Sequence, residues 1–374
     1  MIIINLKITN AMKIFKFLLL TLLAIQLCAC SSNDSNELVE HNKMQNTAPE
    51  SHPSDDEIID VHSYVEERPN IFGNVLILND YNELDAILSE MDNTTLQDLR
   101  VLYNNLGFYS PILESHVIYD SIFTTVVNSY DLSEDDIINL EDYNDDLNDA
   151  IFEEFKSTIM EYSNLILCSN YENETFIEPI GDPWTIEGIY NEKNIFIVDK
   201  YVHSFNHDLI YTIPIQYFND SIAHMSPENL IQYVQDIANN GENAYIITKK
   251  SPFIHREKDG KYKMTLRIRT FDLARYDGEI IRHLHVNIRN FKNGCLKCMP
   301  TEINLACGVK SYDAPESIPI CIAINETRNI YWKTYKTSQT SGMTINGSDF
   351  FILDYLRCNI SNSADLKINI NYKH

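Results

Sequence analysis

The sequence predicts an α+β fold, in which a mostly helical N-terminal region precedes a β-rich, mostly antiparallel domain that resembles a β-sandwich. Apolar residues recur at helical spacing from 71 to about 170, and they alternate with period two after Pro179 and Pro183. Charge divides the chain as well. Residues 31–248 hold 42 acidic and 6 basic side chains, whereas residues 249–374 hold 12 acidic and 20 basic ones. Such asymmetry indicates two separately built regions.

The helical region carries recognisable start signals. Asp80 is followed three residues later by Glu83, which is a typical capping pair, and a second signal begins at Thr94. Further helices are expected over residues 116–130 and 133–162. In the last of them, four apolar residues at helical spacing form one buried stripe, namely Leu147, Ile151, Phe155 and Ile159.

The β-rich region contains a strong hairpin signal at Asp259-Gly260. Residues 262–269 and 284–289 then alternate apolar with polar side chains, so we expect one face of these strands to be packed and the other to be wet. A row of seven basic residues lies in and beside these strands, and its members are Lys261, Lys263, Arg267, Arg269, Arg275, Arg282 and Arg289. This row could bind an acidic glycan, with Lys263, Arg267, Arg269 and Arg289 as candidates. It could equally meet the acidic helical region of its own chain.

The N-terminus reads as an export signal. Lys13 and Lys16 precede an apolar run over residues 17–25, which is too short to span a bilayer permanently. The sequence Leu-Cys-Ala-Cys that ends at Cys30 resembles the lipobox of bacterial lipoproteins. That resemblance implies acylation of Cys30, with palmitate among the acyl chains, and a lipid anchor in the membrane. In a Gram-negative host, Ser31 after the lipid cysteine, in place of the aspartate expected for inner-membrane retention, favours the outer membrane, with the protein facing the periplasm or the cell surface. An ordinary cleaved signal remains the alternative.

The predicted domain organisation follows from these shifts in composition. Residues 31–70 are rich in Ser, Asn, Asp, Glu and Pro, and they predict a disordered tether. The divisions are a signal at 1–30, a tether at 31–70, a mostly helical domain at 71–177 and a β-rich domain at 178–374.

The chain also resembles the uncharacterised lipoproteins of Bacteroides-type gut bacteria. The resemblance rests on the lipobox and tether, on Asn82-Glu83-Leu84 through Gly107-Phe108-Tyr109-Ser110, on Ile189-Tyr190-Asn191-Glu192-Lys193-Asn194-Ile195, and on the basic strands after Tyr262. It implies a helical N-terminal region and a β-rich C-terminal part, and it implies no activity.

Two motifs have metal-like spacing. His283 and His285 lie on one face of a predicted strand, as in some zinc enzymes, but a catalytic zinc needs a third ligand, for which His203, His207 and His255 are equal candidates. Arg282 and Arg289 flank the pair and disfavour a cation, so the sequence predicts no metal there.

The second motif runs from Asp142 through Asn144 and Asp146 to Glu153 and imitates a calcium loop. Leu147 stands where that loop needs glycine, so we expect an acidic helix surface instead.

Six further cysteines follow the signal, and they are Cys168, Cys295, Cys298, Cys307, Cys321 and Cys358. An exported compartment permits disulfides, but six cysteines allow fifteen pairings, so the sequence assigns none. One or two structural disulfides, or free buried thiols, are expected ahead of a metal or redox role.

No catalytic signature is present, because the chain lacks a Gly-x-Ser-x-Gly elbow and a distinct Cys–His arrangement. Glycine is sparse at 11 residues, which predicts no nucleotide cofactor, and the acidic balance argues against nucleic acid. We therefore expect a non-catalytic binding module for a glycan or an envelope partner. A secreted polysaccharide or peptide hydrolase and a structural subunit of an envelope assembly are the alternatives.

Overall fold

The structure is a computed structural model of the 374-residue chain, and it describes residues 59–91, 94–132, 145–162, 165–171, 174–206, 209–248, 252–311, 319–341 and 351–373. Most helices in these ranges lie before residue 162. In chain order they are α1 (Val61–Glu66), α2 (Pro69–Phe72), α3 (Tyr81–Glu90), α4 (Leu96–Asn105), α5 (Pro111–Ser129), α6 (Asp145–Ile159) and α7 (Pro227–Asn239).

The strands form three sheets. A five-stranded sheet has the order β1-β4-β5-β6-β7, from the strands β1 (Ile77–Leu78), β4 (Ile195–Val198), β5 (Tyr201–Asn206), β6 (Leu209–Pro214) and β7 (Tyr245–Thr248). A four-stranded sheet has the order β13-β12-β15-β16, from β12 (Met299–Ser311), β13 (Ile320–Ile330), β15 (Phe351–Asn362) and β16 (Lys367–Lys373).

The third is the central sheet, with the order β2-β3-β11-β10-β9-β8 and with β14 also paired to β10. Its strands are β2 (Ile166–Tyr171), β3 (Glu174–Pro179), β8 (Phe253–Asp259), β9 (Tyr262–Ala274), β10 (Ile280–Lys292), β11 (Cys295–Leu296) and β14 (Trp332–Ser341). The α+β class is thus confirmed, and the later part of the chain is β-rich.

Most strand pairs are antiparallel, but β1 runs parallel to β4 and β3 runs parallel to β11. The β-rich region is therefore mostly antiparallel, as predicted, but its sheets are mixed and not purely antiparallel. Parallel partners need a long crossover connection. Here the helices supply it, because they separate β1 from β4 and so let sequence-distant strands meet.

The central sheet is covered on both faces. On one face, apolar residues of β9 and β10 such as Leu266 and Val286 share a buried cluster with Ile303, Leu356 and others of the four-stranded sheet. On the opposite face, Phe291 and Trp332 pack with residues of α5 and α6. The expectation that the polar side of β9 and β10 is wet is wrong, because a third layer of helices and connecting chain lies over it.

The described helices start close to the predicted signals. Asp80 caps α3 by accepting from the backbone N–H groups of Asn82 and Glu83. The helix α4 starts one residue later than predicted, because Thr95 and not Thr94 forms a capping box with Asp98.

The predicted region boundaries differ from the structure at two places. The predicted tether extends to residue 70, but α1 begins at Val61 and α2 at Pro69. These helices form because Val65 and Phe72 bury their side chains in the apolar cluster against the five-stranded sheet. The boundary predicted at 177/178 falls inside β3. Among the described helices, none combines the length and the apolar character that crossing a bilayer requires.

Candidate binding site

Polar side chains of three neighbouring strands meet on the helix-facing side of the central sheet. Cross-strand partners lie on the same face of a sheet. The partners here are His285 with Arg269 and Lys336, Asn287 with Arg267 and Thr334, and Arg289 with Thr265 and Trp332. We call this set the polar face. Because β10 lies between β9 and β14, its polar residues are flanked on both sides.

Two acids from the chain that follows α6 neutralise part of the polar face. Arg269 donates to Glu187 with Nη1 and Oε1 2.6 Å apart, and Arg289 donates to Glu178. The two arginines are only 7% and 6% exposed. Glu178 belongs to β3 and Glu187 to the 3₁₀ helix Ile186–Ile189, so this segment covers the sheet and supplies its counter-charges.

The row of candidate basic residues is therefore interior rather than displayed on the surface. Lys263 is 4% exposed, and its ammonium lies 3.3 Å from the centre of the Phe176 ring. Lys261 contacts Asp149 of α6, with Nζ and Oδ1 3.1 Å apart. These contacts are the kind that an intramolecular role for the row requires, because acidic residues of the same chain meet the basic strands.

Arg267 differs from its neighbours. In the part of the chain that the structure describes, no carboxylate lies within ion-pair distance of it, and its buried Nε has no hydrogen-bond partner. Burial, followed by the charges of Arg269 and Arg289, lowers the pKa of Arg267 to about 10. The polar face thus carries more positive than negative charge around this residue.

Asp182 organises the other end of the polar face. This fully buried carboxylate accepts from Trp332 Nε1 at 3.3 Å and from the hydroxyl of Thr334, and its second oxygen accepts from the backbone N–H of Trp184 at 3.2 Å. His116 of α5 lies with its ring centre 4.8 Å from that of Trp332. Burial lowers the pKa of His116 to about 4, so the imidazole is neutral at pH 7.

A groove of about 610 Å³ opens beside this arrangement. Half-buried aromatic side chains line it, and we call it the aromatic groove. Its aromatic and charged lining residues are Trp184, Tyr331, Trp332, Tyr335, Glu326, Arg328, Lys333 and Lys336. Trp184 is fixed from behind, because its indole N–H donates to the carbonyl oxygen of Thr94 at 3.0 Å. A rigid aromatic surface with charges at its edge is well suited to holding a polar ligand.

A second cavity, of about 310 Å³, is also lined by Lys336. We call it the histidine cavity, and its polar lining residues are Asp85, Ser89, His283, His285, Lys336, Thr337 and Ser338. Lys336 and Thr337 line both cavities. The ammonium of Lys336 donates to the carbonyl oxygens of Leu88 at 2.9 Å and Trp184 at 2.7 Å. This lysine therefore holds α3 and the Asp182 segment against β14.

The two histidines of this cavity are deeply buried. Neither ring nitrogen of His285, which is 1% exposed, has a hydrogen-bond partner among the described residues, and Nε2 of His283 lacks one as well. A buried polar group left unsatisfied costs roughly 1–3 kcal/mol. Burial, followed by the charge of Lys336, lowers the pKa of His283 to about 4. Burial and the nearby Arg269 hold the pKa of His285 far below its usual value.

The structure brings His283 and His285 together but does not add a third metal ligand. Within the described ranges, no group of three or more His, Cys, Asp or Glu side chains is arranged to hold a metal ion. His203 instead lies between Tyr81 and Thr212, at 3.0 and 2.9 Å, and His255 pairs with Glu257 at 2.8 Å. The remaining candidate, His207, lies outside the described residues.

The structure describes only part of the calcium-like motif. Asp142 and Asn144 lie outside the described residues, whereas Asp146 and Leu147 belong to α6. Leu147 packs against the apolar cluster between α5, α6 and the central sheet. The carboxylate of Asp149, on the same helix, forms ion pairs with Lys261 and Lys292. Burial alone would raise the pKa of Asp149, but the two lysines lower it below its ordinary value.

The six cysteines in the described part of the chain are free thiols. Burial raises the pKa of Cys295 and of Cys307 to about 12, so neither is a thiolate at neutral pH. Cys30, the predicted lipid site, lies outside the described residues.

Neither the aromatic groove nor the role of Lys336 was predicted from the sequence. One signal was available, since the chain contains only two tryptophans. Trp184 and Trp332 both contact His116 and Asp182, which brings two rare residues to one place. Their distance along the sequence hid that proximity.

Comparisons with known proteins add little to this description. No protein-family model matches the chain, and no curated protein sequence matches it. Among solved structures, the chain is similar to a DUF4848 family protein from Bacteroides thetaiotaomicron, with 10% identity, coverage of 78% of this chain and 93% of that chain, and a TM-score of 0.20.

A second similarity is to the variable domain of the AgI/II polypeptide BspA of Streptococcus agalactiae. It has 15% identity, covers 34% of this chain and 86% of that one, and has a TM-score of 0.09. At these TM-scores, neither similarity assigns a fold or a function to the chain.

Proposed function

We propose that this protein is a non-catalytic binding lipoprotein of the outer membrane, lipid-anchored at Cys30, and that it binds a glycan in the aromatic groove. The observation that carries the proposal is the half-buried aromatic surface formed by Trp184, Tyr331 and Tyr335 in a recess of about 610 Å³. That volume falls within the range of about 300–1,000 Å³ in which ligand pockets usually lie.

The chemistry of the groove suits a sugar. A pyranose ring has an apolar C–H face that packs on an aromatic ring and hydroxyl edges that need hydrogen-bond partners. Trp184 is held in place by Thr94, and the hydroxyl of Tyr335 donates to Glu326. Arg328 and Lys333 line the same recess and supply donors. A recessed site of this size favours a glycan over the broad surface that a large protein partner would need.

The lining of the groove also supports a binding role rather than glycoside hydrolysis. Hydrolysis by the common route needs two carboxylates, roughly 5–10 Å apart, on either side of the scissile bond. Among the described residues that line the groove, Glu326 is the sole carboxylate, and Tyr335 hydrogen-bonds to it. The hydrolase hypothesis would need a second acid at this site.

A glycan array, followed by calorimetry with any ligand found, tests this function. We expect Trp184→Leu to weaken binding at least about tenfold, because it removes the most firmly positioned aromatic face. Tyr109→Leu, which alters an exposed aromatic residue outside the groove, is the matched control and should bind like the wild type. Absence of binding to every glycan at low and high salt would reject the carbohydrate proposal.

Membrane attachment needs a separate experiment. Metabolic labelling with palmitate should label the wild-type protein, and Cys30→Ala should abolish both the label and the partition into the membrane fraction. A Cys30→Ala protein that still partitions wholly with membranes would contradict the anchor.

A role in an envelope assembly is a second candidate, and one observation favours it. Phe253 and Ile254 are 36% and 37% exposed on β8, which is an edge strand of the central sheet. Exposed apolar edges can pair with a strand of another chain. Concentration-dependent oligomers that Ile254→Lys disrupts would support this candidate, whereas a monomer at all concentrations would argue against it.

A further inference from the structure

We propose that the histidine cavity is an oxyanion-binding site, at which His283, His285 and Lys336 receive a carboxylate, sulfate or phosphate group. His283 and His285 do not line the aromatic groove, so the inference does not depend on the carbohydrate proposal. It rests on the cavity itself, on the unpartnered imidazoles that line it, and on the sign of the charges around it.

The two imidazoles of the cavity lack the hydrogen-bond partners that buried polar groups normally have. Both nitrogens of His285 and Nε2 of His283 are buried and lack hydrogen-bond partners among the described residues, although both side chains line the cavity. Buried polar groups in native proteins nearly always have partners, so each exception needs an explanation. The centres of the two rings are 6.1 Å apart, and both side chains line this one cavity.

The surrounding charges decide which kind of ligand fits. Lys336 of β14 lines the cavity, and Arg269 of β9 is the cross-strand partner of His285. The positive charges of Arg269, Lys336 and Arg267 all lower the pKa of His285. Asp85 of α3 is the single carboxylate among the described lining residues, and burial raises its pKa. A metal cation would be repelled by Lys336 and would find two imidazoles without a third ligand. An oxyanion would be attracted by the cations and would accept hydrogen bonds from the imidazoles.

The position of Lys336 gives the site a second use. Because Lys336 and Thr337 line both cavities, an anionic group bound by the histidines lies next to the aromatic groove. The oxyanion can be a free ion or the acidic substituent of a larger ligand, and the two sources share the same chemistry at the histidines.

Proton uptake gives the site a distinctive signature. An anion held against His283 and His285 stabilises their protonated forms and so raises their pKa values, against the opposing effects of Lys336, Arg269 and Arg267 and with the support of Asp85. Binding should therefore be tighter at about pH 5 than at about pH 8, since the complex binds more protons than the free protein.

Calorimetric titration of the full chain with sulfate, phosphate, acetate and glucuronate tests the proposal, in buffers that differ in ionisation enthalpy. We expect saturable binding of at least one anion with uptake of protons. His285→Leu and Lys336→Met should each weaken it about tenfold or more, as the loss of a charge-assisted hydrogen bond does. His255→Leu, a histidine outside both cavities, and Lys367→Met, an exposed lysine of β16 outside both cavities, are the matched controls.

The readout remains decisive if a variant unfolds. Histidine side-chain NMR of the wild-type protein should show two resonances that shift on addition of the anion. Tighter binding of glucuronate that Trp184→Leu reduces would indicate a ligand shared with the groove, whereas equal binding of free sulfate would indicate an independent ion site. Zinc binding that depends on His285, or the absence of any anion-dependent shift at millimolar concentration, would overturn the proposal.

Discussion

Along β10, alternate side chains enter two different interiors. Leu284, Val286 and Ile288 face the four-stranded sheet, where their neighbours are apolar side chains such as Ile303 and Leu305. The residues between them face the helices, and they are His283, His285, Asn287 and Arg289. All thirteen residues of this strand are buried, yet one interior is filled by apolar side chains and the other contains charged and polar ones, of which Arg289 is paired with an acid and His285 has no partner among the described residues.

The two interiors of β10 are equally buried, but they tolerate substitution differently. An apolar interior depends on volume and shape, so its residues are replaceable by others of similar size. A charged interior depends on particular partners, because a buried charge that loses its partner is costly. The histidine cavity is lined by His283 and His285 of the charged interior, whereas the aromatic groove is also lined by Ile322 and Ile324, which belong to the apolar cluster. The charged interior therefore contributes the polar groups of the candidate sites.

The largest expected effect comes from removing one charge of a buried pair. Glu187→Ala leaves Arg269 buried without its partner and should lower the free energy of unfolding by about 3–5 kcal/mol. Urea unfolding followed by circular dichroism measures this loss. The double variant Glu187→Leu with Arg269→Met should recover most of it. A single variant as stable as the wild type would show that the ion pair does not hold the polar face.

A large-to-small change on the apolar face should cost somewhat less. Leu284→Ala opens a cavity in the interior shared with the four-stranded sheet, and we expect a loss of about 3 kcal/mol in the free energy of unfolding. Leu284→Met, which nearly conserves volume, should cost under about 1.5 kcal/mol. Equal losses for the two variants in urea unfolding would contradict a packing-dominated face.

The two faces should also differ in their response to pH. Burial lowers the pKa of His283 to about 4 from an ordinary value of 6.5, so the unfolded chain binds the proton more readily than the folded one. Stability from this residue is complete above about pH 6.5 and declines as the pH falls toward 4, by up to about 1.4 kcal/mol per pH unit. His283→Gln should flatten the measured slope in that window, and Leu284→Met should leave it unchanged. An identical slope in His283→Gln would contradict the prediction.

The smallest effect is expected in the turn that joins β9 to β10. Arg275 contacts Glu279 with Nη1 and Oε2 3.1 Å apart, but the two side chains are 26% and 40% exposed. Surface pairs contribute roughly 0–1 kcal/mol, so Glu279→Gln should shift the free energy of unfolding by less than about 1 kcal/mol. A loss as large as that of Glu187→Ala would mean that burial is not what separates the two pairs.

Local signals in the sequence predicted many of the elements. Asp80 and Glu83 predicted the start of α3, and Asp259-Gly260 predicted the turn between β8 and β9. The stripe that includes Ile151 and Phe155 is buried as expected. These features depend on residues a few positions apart, so periodicity and capping chemistry are sufficient to identify them.

The environment of the basic row could not be predicted in the same way. Alternation along β9 and β10 shows that the two faces differ, but it does not show whether a third layer covers the polar one. That depends on Glu178 and Glu187, which lie about a hundred residues earlier in the chain. β14 was missed for a related reason. Its Lys, Thr and Ser content resembles a surface loop until its pairing with β10 is known.

The parallel pairing of β3 with β11 has a consequence for how the molecule is assembled. Ile177 meets Cys295 across this pair, and β14 then joins β10 on the same sheet from residues 332–341. Contacts that close such long loops form slowly, because the entropy of closure is lost before the contact rewards it. Because β14 ends at Ser341, nearly the whole chain must be available before the central sheet can be completed. Until β11 is available, β3 lacks its parallel partner, and this side of the sheet keeps an unpaired edge.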